Sequence, residues 1–292
     1  MPKVSGEIVA EFAAREGRTE LIRKFHTSPL KIAKTFRYEN EKLSAGSKHL
    51  DQIGVYMMDC SPGLMSGDHY ELSFHLQKGT SVFLTNQSFT KVHPSVEQGS
   101  SQRQTIVVEE GALLEYIPEP LMLFKESCYS GETEVRLEPG AVFMMSELLC
   151  PGRTQRGERF HYKRYGNRLK VFNGEELIFY QHQVIVPEFM NLQSPGSWEA
   201  ETHLGSLYVF SETIRQSHVD ELLAALDEVH PFAEIKPGGS TSLRYGASLT
   251  YKHGLALNVM GLHAWQLQRL ISIAWGIMRS ILLSIAPLRV NK

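Results

Sequence analysis

The sequence predicts a mainly β fold, a β-helix-like body of stacked sheet followed by two C-terminal α-helices. Three observations carry this expectation. Residues 70–77, Tyr-Glu-Leu-Ser-Phe-His-Leu-Gln, alternate apolar and polar without a break, the two-residue period of a strand buried on one face. A unit of strand, glycine turn and strand recurs. Leu76-Gln77-Lys78-Gly79-Thr80 is echoed by Val108-Glu109-Glu110-Gly111-Ala112, Leu137-Glu138-Pro139-Gly140-Ala141 and Val171-Phe172-Asn173-Gly174-Glu175, with the glycines 32, 29 and 34 residues apart. Helical periodicity appears only after residue 216. One such unit cannot bury its own apolar face, so its repetition points to stacking. Glycines also recur at the hairpin turns of β-sandwiches, and the repeat alone does not choose between the two.

In order along the chain, residues 6–12 and 18–25 read as strands joined at Arg15-Glu16-Gly17-Arg18. Ser28-Pro29 opens another extended piece, because the residue before proline avoids the helical region. Residues 39–52 are polar and mixed and read as a surface loop; 53–58 are an apolar run leading into the turn Ser61-Pro62-Gly63-Leu64-Met65-Ser66-Gly67-Asp68. β structure is expected through about Tyr208. Ser217-His218-Val219-Asp220 then starts a helix with a capping-box-like pattern, its stripe Val219, Leu222, Leu223, Leu226 and Val229, its end His230-Pro231. Residues 235–242, with Pro237-Gly238-Gly239, read as a loop, and 248–260 as a strand or strand pair. A second helix is expected over 261–286, closed by Pro287. Residues 1–210 form the predicted body and 211–292 a C-terminal part packed on it.

Composition narrows the function. With 292 residues, 42% of them hydrophobic, and a net charge of −2, the chain can bury a sizeable core and shows no basic footprint for nucleic acid. The amino terminus is charged at Lys3, Glu7, Glu11 and Arg15 and has no apolar segment of the secretory kind. The run 270–286 is interrupted by Arg279 and falls short of a membrane span. Cys60, Cys128 and Cys150 are odd in number and widely spaced, which predicts free thiols in a cytoplasmic protein.

Phosphate-loop, dinucleotide, nucleophile-elbow and zinc-helix signatures are all missing from the sequence. The acids are more informative. Asp68 follows Ser66-Gly67 at a turn, where it is expected to cap its own backbone. Glu115 and Glu147 lie inside apolar runs, 112–117 and 142–150. A buried acid must be paired, protonated or facing water, and alternation could simply place each on a wet face. Three acids in successive repeats suggest a hydrophilic seam through the stack. The last helix carries Trp265, Leu270, Ile271, Trp275, Met278 and Leu282 on more than one stripe, so it is either internal core or docked on a partner.

At these residues the chain resembles the urease accessory protein UreD family, called UreH in some systems. The matching blocks are Pro62 to Asp68, Leu84-Thr85-Asn86-Gln87-Ser88-Phe89-Thr90-Lys91-Val92, Glu115-Tyr116-Ile117-Pro118-Glu119-Pro120 and Leu148-Leu149-Cys150-Pro151-Gly152-Arg153, with Gly17-Arg18-Thr19 and Ser28-Pro29-Leu30 before them. The resemblance implies a β-helix-like body and a non-enzymatic role. It implies binding of apo-urease and of UreF, and through UreF of the GTPase UreG, with Ni²⁺ in transit through an internal tunnel and no tightly bound cofactor. Asp68, Thr90 and Glu147 fall at the family's polar tunnel-lining positions, and Glu115 belongs to the same seam. Hard oxygen ligands of this kind hold Ni²⁺ weakly enough to hand it on. The last helix, through the six residues above, would dock UreF. Tyr180 stands where some relatives have a further acid, and Pro62 where many have glycine. Two other readings are weighed against this one: a scaffold that assembles partners without handling metal, and a β-helix carbohydrate lyase or hydrolase, for which no aromatic-rich groove or export signal is found.

Overall fold

The computed structural model describes residues 4–39, 51–229, 243–288 and 290. Two sheets face each other across the main core. Sheet A contains β1 (Gly6–Arg15), β2 (Arg18–His26), β5 (His69–Leu76), β8 (Ser100–Val108), β11 (Cys128–Leu137), β13 (Arg164–Asn173) and β14 (Glu176–Ile185), in the order β14-β13-β11-β8-β5-β1-β2. Sheet B runs β16-β17-β15-β12-β9-β6-β4-β3. Its strands are β3 (Leu30–Glu39), β4 (Asp51–Asp59), β6 (Ser81–Asn86), β9 (Leu113–Tyr116), β12 (Val142–Cys150), β15 (His203–Phe210), β16 (Arg244–Leu249) and β17 (Gly254–Gly261). Two short strands, β7 (Thr90–Val92) and β10 (Leu121–Leu123), pair beside β12.

The chain shuttles between the sheets, and each return lands parallel beside the strand of the previous turn. β1, β5, β8, β11 and β13 are parallel neighbours in A; β4, β6, β9 and β12 are parallel neighbours in B. This is a solenoid-like stack, which decides the choice that the repeat left open. The recurrent glycines are its corners: Gly79, Gly111, Gly140 and Gly174 all have φ between 56° and 71°, a left-handed conformation that glycine adopts without steric cost. Antiparallel strands close both ends.

The two sheets differ in what covers them. Sheet A is buried on one face, and β5 reads buried and half-buried in alternation, with Tyr70, Leu72, Phe74 and Leu76 inside. Sheet B is covered on both faces. Its inner side, with Val55, Leu84, Tyr116 and Tyr208, meets Phe12, Phe74 and Val135 of sheet A. Its outer side, with Phe83, Met144, Leu207 and Val209, meets α1 (Gln216–Val229) and α2 (Ala264–Leu283). Strands covered on both faces read as continuous apolar runs, which is why β12 is Val-Phe-Met-Met-Ser-Glu-Leu-Leu-Cys.

Several expectations shift. The loop expected over 39–52 lies mostly outside the described residues, but Gln52 belongs to β4 and is fully buried. The strand or strand pair expected over 248–260 is a hairpin, β16 and β17, which extends sheet B through β15. The loop expected over 235–242 lies outside the described residues. Among the described residues no helix is long and apolar enough to cross a membrane.

Candidate functional site

Between the sheets, near the ends of β4 and β6, the hydrocarbon core gives way to a cavity of about 150 Å³. Its rim carries Asp59, Pro62, Gln87, Thr90 and Glu119, and Glu147 lies within it. The elements place these groups by register. β7 sets Thr90 beside Leu121 of β10, and Leu121 beside Leu149 of β12. On β12, Met145 and Glu147 line the cavity while Met144 packs under the helices.

Glu147 accepts a hydrogen bond from Asn167 Nδ2 at 2.8 Å. Loss of hydration inside the protein pushes its carboxyl up to about 7, with the Asn167 bond pulling the other way. Tyr116, Tyr129, Tyr165 and Tyr208 surround it; burial, and the Glu147 charge, raise all four phenols and keep them neutral. Tyr129 and Tyr165 stack with ring centroids 6.2 Å apart. At the rim, the Asp59 carboxylate accepts bonds from Ser61 N at 2.8 Å, Ser61 Oγ at 2.6 Å and Tyr70 OH at 3.0 Å. Glu119 accepts one from Gln268 Nε2 of α2 at 2.8 Å.

The opposite wall, on sheet A, is built from amides. Gln102, Gln104, Asn167 and Gln183 all line the cavity. Tyr70, Gln102, Gly131, Asn167 and Gln183 form one cross-strand row, and Leu72, Gln104, Thr133, Leu169 and Gln181 the next. Gly131 leaves room for the Asn167 amide, because a Cβ would lie 2.3 Å from Asn167 Oδ1.

The structure brings Thr90 and Glu147 to one cavity and places Asp68 and Glu115 elsewhere. Asp68 accepts a bond from Met65 N at 2.7 Å and closes its own turn. Glu115 pairs in register with Phe83 and Met144 on the outer side of sheet B. There it accepts bonds from Gln52 Nε2, Trp275 Nε1 (2.7 Å) and Arg279 Nη1. The Arg279–Glu115 ion pair has no solvent exposure at either side chain. The three acids therefore do not form one seam. Tyr180 is 53% exposed and does not line the cavity. Asp59, Glu119 and the four amides were not singled out in the sequence. The signal for the amides was polar residues at two-residue spacing in Gln102-Arg103-Gln104 and Gln181-His182-Gln183.

On α2, Leu270, Ile271, Trp275 and Met278 are buried against sheet B and Leu282 is half-buried. Trp265, at 61% exposure, is the outward-facing member of the six. Gly205 lets the helix approach, since a Cβ there would meet Ile271 Cδ1 at 2.7 Å.

Among the described residues no cluster of three or more His, Cys, Asp or Glu side chains could hold a metal ion. Around the cavity, carboxylates, hydroxyls and amides offer hard oxygens, the donor type that hard divalent cations take.

Comparison with known proteins agrees along the whole chain. The sequence profile described as UreD urease accessory protein matches residues 4–292. The urease accessory protein UreD of Acetivibrio thermocellus is 31% identical over 263 residues, covering 90% of this chain and 93% of the relative. That of Lachnoclostridium phytofermentans is 27% identical over 279 residues, covering 96% and 95%. The urease accessory protein UreH of Helicobacter hepaticus is 27% identical over 205 residues, covering 70% and 77%. With the stacked β body and helical cap described above, these matches show that the chain belongs to the UreD urease accessory protein family.

Proposed function

We propose that this protein serves urease maturation as a scaffold that binds apo-urease and UreF, engages UreG through UreF, and passes Ni²⁺ to urease through the cavity between its sheets. Nickel is cargo here. The observation that carries the reading is Glu147, a carboxyl inside an amide-lined cavity in a chain of this family.

Hydrated Ni²⁺ reaching the rim exchanges part of its water for oxygens of Asp59, Glu119 and Thr90. Deeper in, Glu147 with a pKa near 7 carries a proton in a large fraction of molecules. The arriving cation displaces that proton, and departure lets it return. The exchange spares the cavity an uncompensated anion while it is empty, and avoids the tight hold of thiolate or clustered imidazole. UreF docking is assigned to the exposed edge of α2 around Trp265. Leu270, Ile271, Trp275, Met278 and Leu282 act by holding the helix on the body.

The test is Glu147→Gln, close in shape but without the exchangeable charge, in cells expressing urease with its accessory proteins. Nickel per urease should fall several-fold with the accessory complex intact. Normal loading would leave the protein a scaffold that assembles partners without handling metal.

A further inference from the structure

We propose that the amide wall of sheet A, and Gln104 in particular, supplies ligand oxygens to the divalent cation between the rim and Glu147; this rests on the conduit reading above. The inside of a stacked sheet is normally a ladder of hydrocarbon. One row beyond Gln104 it is: Phe74, Ile106, Val135 and Val171 stand side by side. Within two rows, where the cavity begins, the ladder changes to Gln102, Gln104, Asn167 and Gln183.

These amides are not used up in holding each other. Asn167 donates to Glu147, and Gln181, in the same row as Gln104, accepts from Tyr208 OH. Gln104 donates from Nε2 to Thr133 Oγ1 at 3.1 Å, which fixes its plane. Its carbonyl Oε1 is buried with no hydrogen-bond partner, and the residue is 7% exposed. A buried carbonyl with both lone pairs free is unfavourable unless water or a cation fills it. On a cavity wall in a protein that moves a divalent cation, a neutral hard oxygen fits the need. It replaces a lost water ligand and adds no charge that would trap the ion.

The test uses the full chain co-expressed with urease and its accessory proteins, supplied with Ni²⁺, reading nickel per urease against time. Gln104→Leu with Thr133→Val removes both hydrogen-bond partners together and leaves neither orphaned. Loading should slow about tenfold, the lower end of what loss of a supporting polar group does to metal sites, with complex assembly unchanged and Tm equal or higher. Wild-type loading in this variant alongside slow loading in Glu147→Gln overturns the role of Gln104 and leaves the conduit standing. Wild-type loading in both overturns the two together. Should the double variant fail to fold, Gln104→Glu decides. The added carboxylate should leave several-fold more Ni²⁺ on the accessory complex and less on urease, and an unchanged distribution overturns the proposal.

Discussion

Replacing Arg279 with methionine removes the guanidinium that meets Glu115 beneath α2 while keeping the helix face apolar. Both side chains are wholly shielded from solvent. Breaking such a pair from one side costs about 3–5 kcal/mol, because the remaining charge stays buried. Two donors remain on the Glu115 carboxylate, Gln52 Nε2 and Trp275 Nε1, which favours the lower end. At ~2–4 °C per kcal/mol this is a Tm decrease of roughly 6–12 °C. Urea unfolding followed by tryptophan fluorescence measures it, with Trp275 as a local reporter stacked on Phe83 at 5.4 Å. Glu115→Gln added to Arg279→Met keeps an acceptor for Trp275 without the stranded charge, and should recover about half of the loss. A single variant within about 1 kcal/mol of wild type, or a double variant no better than the single, refutes the account, since breaking a buried pair from one side must exceed that.

Glu147 gives a signed pH dependence. Its folded pKa of about 7 lies above the ordinary glutamate value of 4.5. The folded state then holds more protons than the unfolded between these values, so this group's contribution falls as pH rises through that window, by about 2–3 kcal/mol. His203, lowered to about 4 chiefly by burial and next by His263, contributes the opposite slope between about 4 and 6.5. The difference between wild type and Glu147→Gln in urea unfolding at pH 5 and pH 8 isolates the carboxyl. Gly131→Ala should push Asn167 off Glu147 and destabilise by about 1–3 kcal/mol by overpacking, seen as a lower urea midpoint together with slower nickel loading. Trp265→Ala should leave Tm within 2 °C, about what a surface change costs, yet weaken co-purification of UreF. Leu270→Ala should instead cost about 2–5 kcal/mol as a core truncation, measured by the same unfolding experiment.

The sheet-A half of the fold was legible because one face of each strand is wet. Tyr70-Glu71-Leu72-Ser73-Phe74 announces which side chains are inside. Sheet B erased that information by being covered twice. In the runs around Glu115 and Glu147 apolar residues occupy both odd and even positions, so parity could not say that one acid faces the helices and the other the cavity. Glu147 stood out as an acid inside an apolar run, whereas Thr90 was reached only through family resemblance. Arg279 carried a usable signal: the lone cation of the apolar run 270–286 needs a buried anion, and Glu115 was the unexplained acid available. Asp59, Glu119 and the amides depend on which turn of the stack lies over which, and register of that kind is not written in local periodicity.

The contact between Arg279 and Glu115 spans 164 positions of the chain. The outer side of sheet B, with Phe83, Met144 and Leu207, thus stays without the α2 part of its cover until that helix has been synthesised. A chain cut before Ala264 would therefore present a broad apolar sheet face and leave the Glu115 carboxylate without its cation. Its poor recovery would then report a missing lid, not a missing docking site. The newborn protein passes through the same state, with long-range closure as its last event. Its yield should track whatever shields that face in the interval before the helix arrives.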